Sequence, residues 1–230
     1  MCGRINLTAL PPELAEYFAL FREPEWSPRY NLGPMQQILV IRIKPDGVRL
    51  AEPLQWGLVP RWAKSTEHSA QMVMARCETI ASKPAYSEPF RQHRGLIPIN
   101  GFYEWEQWDS KTKQAWHIHT PTGSLLALAA IWEHWQAPDG SLLESCAVIT
   151  TQANELMAEF CDRMPVILPK EAWDSWLDPE QPPNLPKLSS LLVPCANESL
   201  IRTPVSSYVN SVSHDSPECI QPAQLPRTLF

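Results

Sequence analysis

GLIPINGFYEW (95–105), QAWHIH (114–119), LLALAAIW (125–132) and ESCAVIT (144–150) follow one another with only short connections. Each has the length and the aromatic or aliphatic content of a strand. ILVIRI (38–43) and VRLAEPLQW (48–56) precede them and read the same way. KPDG (44–47) and APDG (137–140) are tight-turn sequences between such runs and predict hairpins. Helices are fewer. In PPELAEYFALF (11–21), two prolines sit at the start, where a missing N–H costs nothing, and Leu14, Phe18 and Phe21 recur at helical spacing. ANELMAEF (153–160), PKEAWDSWL (169–177) and LSSLL (188–192) are shorter helical stretches. EPEWSPRYNLGP reads as a loop, and DPEQPPNLP (178–186) as irregular. Consecutive strands with few helices predict an α+β fold rather than alternating βαβ units. No repeat or linker divides the chain, so residues 1–230 are expected to form a single domain.

Composition narrows the function. The chain has 230 residues and a net charge of −6, so bulk positive charge cannot attract nucleic acid, and any such contact needs a local basic patch. Proline, at 24, is about twice its usual share and glycine, at 8, about half. MCGRINL has no basic segment leading into an apolar run, and no stretch nears the ~20 apolar residues of a membrane span. Six cysteines without a CxxC pair or regular spacing fit a reducing cytoplasm better than a disulfide framework or structural zinc site.

Several residues could carry chemistry. If Met1 is removed, Cys2 presents a free α-amine and a thiol on adjacent carbons, with ordinary pKa values of about 7.7–8.0 and about 8.5. Such a pair converts an aldehyde to an imine and then closes a thiazolidine ring. Before Met1 leaves, the same thiol could attack its carbonyl. Glu104, between Tyr103 and Trp105, would be partly desolvated and tuned for acid–base work, or simply exposed at a strand end. In MARCET (74–79), Arg76 and Glu78 share a strand face and could bind phosphate or pair with each other. Asp162 and Arg163 in FCDRMPVIL (160–168) read as a helix-to-strand turn held by a charge pair. His117 and His119 fall on one strand face, and without a nearby third ligand a surface or hairpin role outweighs metal binding. In WGLVPRWAK (56–64), Trp56 and Trp62 interleave with Arg61 and Lys64, a pattern that can hold a phosphate backbone and stack a base.

MCGR at the N-terminus, RYNLGP (29–34), WGLVPRW (56–62), MARCET, LIPINGFYEW (96–105), VITTQAN (148–154), CDRMPVIL (161–168) and TPVSSYVNS (203–211) together resemble the SRAP family, the SOS response-associated peptidases described as abasic-site processing proteins. The resemblance runs along nearly the whole chain. It implies a bifurcated or barrel-like, mainly antiparallel sheet flanked by short helices, with Cys2 in a positively lined cleft. It also implies autoproteolytic loss of Met1 and a covalent thiazolidine crosslink between Cys2 and an abasic site. The DNA would be a single strand or a single-strand/duplex junction. Carried over by position, Cys2 is the nucleophile, Glu104 the acid–base carboxylate, Arg4 and Arg76 the phosphate contacts, and Trp62 a neighbour of the DNA path. No cofactor, metal or membrane is implied, and a cytoplasmic monomer is expected. This chain departs from the family pattern chiefly with Met74 in place of asparagine and Cys161 in place of histidine, and also with Ile99 and Asn100 in place of a small and an acidic residue before Gly101. A thiol is a poorer proton shuttle near neutral pH and methionine donates no amide hydrogen bond, so the chemistry is expected to be slowed. A module that only binds DNA is the alternative, and a metal or redox site built from Cys2 and Cys161, with Cys77 as an optional third member, is a third reading.

Overall fold

A computed structural model describes residues 3–109, 112–179 and 183–224. The strands are β1 (Ile5–Leu7), β2 (Arg29–Leu32), β3 (Gln37–Ile43), β4 (Arg49–Trp56), β5 (Met74–Arg76), β6 (Arg94–Ile99), β7 (Gly101–Gln107), β8 (Lys113–His119), β9 (Leu126–Gln136), β10 (Leu142–Gln152), β11 (Arg163–Pro165) and β12 (Ile201–Val205). The α-helices are α1 (Pro11–Tyr17), α2 (Ser87–Gln92), α3 (Glu155–Ala158), α4 (Trp173–Leu177) and α5 (Leu185–Ser190). No helix among the described residues is long and apolar enough to cross a membrane.

Pairings β4–β3, β3–β6, β6–β9, β9–β10 and β10–β4 close a five-stranded ring. Within the ring, only the β10–β4 pairing is parallel. Closure leaves these five strands without an open edge. β10 is bifurcated. Its first half pairs with β9 and β4, and its second half continues past them to pair with β5 and β11. A second sheet has the order β12-β8-β7-β1-β2. The α+β class and the bifurcated, barrel-like, mainly antiparallel sheet are therefore present as expected.

Alternating residues of the ring feed two cores. One set (Leu39, Ile41, Leu96, Ala129, Ile149) packs with Leu14 and Phe18 of α1, Phe90 of α2, Trp173 and Trp176 of α4, and Leu188 of α5. The other set (Ile38, Val40, Leu54, Ile97, Leu128, Val148) packs with Ile5, Phe102 and Ile118 of the second sheet. Arg42 shares the face of Ile38 and Val40 and bonds Glu144 on β10, which does not neighbour β3 in the ring. That cross-ring bond means this face looks into the barrel. Arg42, only 2% exposed, is held there by Glu52 and Glu144 under the Trp132 ring.

Both tight turns close as read, with Lys44 N–H donating to Val48 O at 2.9 Å and Ala137 N–H to Ser141 O at 2.8 Å. Other expectations need correction. α1 stops at Tyr17, and Ala19 takes a left-handed φ of 51°, so Phe21 leaves the apolar face and is exposed. RYNL in the expected loop is β2, recruited by pairing with β1. The run 95–105 divides at Asn100 into β6 and β7. The helix expected over 153–160 is the single turn of α3, and α5 begins at Leu185, inside the proline-rich stretch, with a proline in its first turn.

Candidate functional site: a cleft beside Glu104

The break at Asn100 carries one continuous strand from the barrel into the second sheet. Asn100 Oδ1 accepts from the Thr8 and Ala9 amides at 2.7 and 3.1 Å, while its own N–H donates to Asn6 O at 2.9 Å. Gly101 follows because nothing larger fits: a Cβ there would lie 2.3 Å from His117 Nε2 and 2.6 Å from Ile118 O. β1 then pairs with β7, Ile5 opposite Phe102, and Tyr103 N–H donates to Arg4 O at 2.9 Å. The start of the described chain is thus stitched to the strand that carries Glu104.

Glu104 is 4% exposed, and burial raises its carboxyl pKa above the ordinary glutamate range. Two residues on, Glu106 occupies the same face of β7 and lines an open cleft of about 880 Å3. Arg76, Gln107, Gln152, Cys161, Asp162 and Arg163 line it as well. Glu106 accepts from the Trp116 and Trp108 indoles at 2.8 and 3.0 Å, so its position is set by two rings. Cys161 lies after α3, its thiol donating to Arg163 O at 3.1 Å. Burial, and then the charge of Glu104, push this thiol up to about 11, so it is protonated at neutral pH.

The Arg76 side chain is exposed in the cleft, and its guanidinium has no hydrogen-bond or ion-pair partner among the described residues. Glu78 does not pair with it. Instead Arg163 grips Glu78 through two bonds of 3.0 Å and also donates to Thr150 O and Oγ1. That arrangement overturns the expected Asp162–Arg163 pair as well, because the buried guanidinium turns toward β10 and away from its sequence neighbour. Together with Glu106, Glu159 and Asp162, the two arginines give this cleft mixed charge.

The remaining predicted residues lie as follows. Cys2 falls outside the described residues. Arg4 donates from Nη1 to Asn31 Oδ1 at 2.8 Å and Val209 O at 2.9 Å, with its guanidinium over Trp105. Met74 is half-buried on β5 opposite Val148, and its carbonyl accepts from Tyr86 Oη. Trp62 is 64% exposed on the β4–β5 connection and does not line the cleft. Trp56 is completely buried with its indole on Val73 O, a core residue and not part of a stacking surface. His117 and His119 stack on each other, but His117 is buried on Asn6 Oδ1 at 2.9 Å, so a surface role is ruled out for it. No cysteine joins a metal-ligating cluster among the described residues. Glu106 was missed, although the alternation in FYEWEQ puts it on the face of Glu104.

A strand barrel fused to a second sheet, with a buried carboxyl behind an open polar cleft, defines the structural class. The chain belongs to the SRAP family: the family model described as SOS response associated peptidase matches residues 1–212. It is 40% identical over 224 residues to the abasic site processing protein YoqW of Bacillus subtilis, covering 96% of this chain and 99% of the relative. Identity is 32% over 235 residues to the chicken abasic site processing protein HMCES, covering 89% of this chain and 69% of that one. A crystal structure of a Bacteroides thetaiotaomicron protein shares the fold, with a TM-score of 0.87 at 23% identity over 97% of this chain and all of the other.

Proposed function

We propose that this protein processes abasic sites in single-stranded DNA by crosslinking them to Cys2. The observation that carries the reading is the register of β1 on β7. Arg4 O accepts from Tyr103 N–H, so the chain that follows Cys2 by two residues is bonded to the residue next to Glu104. The names of the relatives support the substrate.

The thiol first attacks the Met1 carbonyl, breaking the peptide bond to give a thioester and the free Cys2 amine, and a water then hydrolyses the thioester to release methionine and restore the thiol. The freed amine then adds to the ring-opened sugar aldehyde, and loss of one water gives the imine. Addition of the thiol to the imine carbon closes the thiazolidine without a further leaving group. Glu104, its pKa raised by burial, donates a proton to the departing hydroxyl. The exposed cation of Arg76 faces the phosphate backbone across the cleft. Met74 and the protonated thiol of Cys161 supply neither an amide donor nor an efficient proton shuttle, which slows the reaction without abolishing it.

Intact mass measured before and after incubation with an abasic oligonucleotide tests this directly. A chain lacking Met1 that gains the mass of the oligonucleotide less water, and a Cys2→Ala variant that gains none, are the expected results. No adduct, with salt-dependent binding equal for intact and abasic strands, would leave a DNA-binding module only.

A further inference from the structure

A second cluster of reactive side chains lies outside the cleft. His93 ends α2, and Glu133 and His134 are consecutive on β9. Glu133 is 1% exposed, and a buried carboxylate requires a compensating positive charge. His93 Nδ1 lies 3.2 Å from Glu133 Oε1, yet this buried nitrogen makes no hydrogen bond among the described residues. His134 Nδ1 is 3.5 Å from the same oxygen, and all three atoms fall within 4.8 Å of one another. Around zinc, with tetrahedral bonds of about 2.0–2.1 Å, neighbouring donor atoms lie about 3.4 Å apart. Two of the separations here already match that edge.

The ligands are also held in place. The His93 ring stacks on Trp132 with centroids 4.4 Å apart, and Glu133 Oε1 accepts from the His134 amide at 3.0 Å. His134 is 53% exposed in its side chain, and His93 opens on a cavity of about 360 Å3 shared with Trp132, Arg42 and Glu144. The exposed side chain of His134 gives an ion a way in from solvent. Two imidazoles and one carboxylate, with no thiolate, suit a borderline divalent ion better than calcium or magnesium.

We propose that His93, Glu133 and His134 form a Zn2+ site that ties the end of α2 to β9. The site stands apart from the Glu104 cleft, and none of its ligands takes part in the DNA chemistry.

Untagged protein stripped with a chelator and titrated with ZnCl2 in a calorimeter tests the assignment. One ion per chain is expected, with a rise in Tm. His134→Ala, at a half-exposed position, should keep its circular dichroism and its DNA crosslinking but bind zinc about tenfold or more weakly, and His93→Gln should do the same to binding. Cobalt substituted for zinc should give tetrahedral d–d bands without sulfur charge transfer. No saturable binding, unchanged affinity in His134→Ala, or a thiolate signature in the cobalt spectrum would each overturn the proposal. The first of these outcomes leaves a His93–Glu133 ion pair in place of a metal site.

Discussion

Arg163 and Glu78 form a two-armed ion pair, Nη1 to Oε1 and Nη2 to Oε2, both 3.0 Å, that ties the β5 turn to β11 at the wall of the cleft. The guanidinium holds the Glu78 carboxyl down at about 2. Its stabilising effect is therefore complete above the ordinary glutamate pKa and lost as pH falls toward about 2. Because Glu78 is partly exposed, Glu78→Gln should cost about 1–2 kcal/mol, less than breaking a fully buried pair. Urea denaturation at neutral pH measures the cost, and the difference from wild type should shrink near pH 3. A constant difference across that range would exclude the pair as its source.

Glu104→Gln should retain the fold and lower the crosslinking rate about 10²–10⁴-fold, the usual loss for a positioned acid–base group. Burial raises this carboxyl, so its protonated form persists to higher pH than that of an ordinary glutamate. The wild-type rate should fall as pH rises through that pKa, and the Gln variant should lack this limb. Single-turnover crosslinking across a pH series reads both effects.

Cys161→His should accelerate crosslinking, by about tenfold or more, because imidazole exchanges protons near pH 6.5 while the half-buried thiol is raised to about 11. Cys161→Ser should leave the rate near wild type. An equal gain from serine would show that removing the thiol matters rather than adding a proton shuttle.

Arg76→Ala should weaken binding of intact and abasic single strands alike, since a phosphate contact carries no base information. The slope of log K against log salt should drop by about 0.7, the value for one contact to a single strand. Fluorescence anisotropy at several salt concentrations gives the slope, and an unchanged value would remove Arg76 from the DNA path.

His117 is buried against Asn6, and desolvation pushes its pKa down to about 3. The unfolded chain takes up this proton near pH 6.5 and the folded chain does not, so stability falls as pH drops from 6.5 toward 3. The slope approaches about 1.4 kcal/mol per pH unit for one proton. His117→Gln, which keeps an amide donor for Asn6, should flatten this dependence in urea titrations between pH 7 and pH 4.5.

The strands of the barrel were legible in the sequence because each long β run is bounded by its own turn chemistry. KPDG and APDG close hairpins through local bonds that need nothing from the rest of the chain. RYNL was not legible as a strand, since β2 exists only through β1 and through Asp215, whose carboxylate accepts from the Tyr30 and Asn31 amides. The helical tail of α1 failed for the converse reason: spacing continues to Phe21, but the chain turns left-handed at Ala19.

In the site, the residue types were local information and their partners were not. The sequence by itself determined that a carboxyl would sit between two aromatic residues at position 104. Only the tertiary structure decided that Glu104 is buried, that Arg163 turns to Glu78 instead of Asp162, and that His93 meets Glu133 and His134. Charge pairing over a few ångströms depends on which strands become neighbours, and that neighbour order follows from closing the ring around β10.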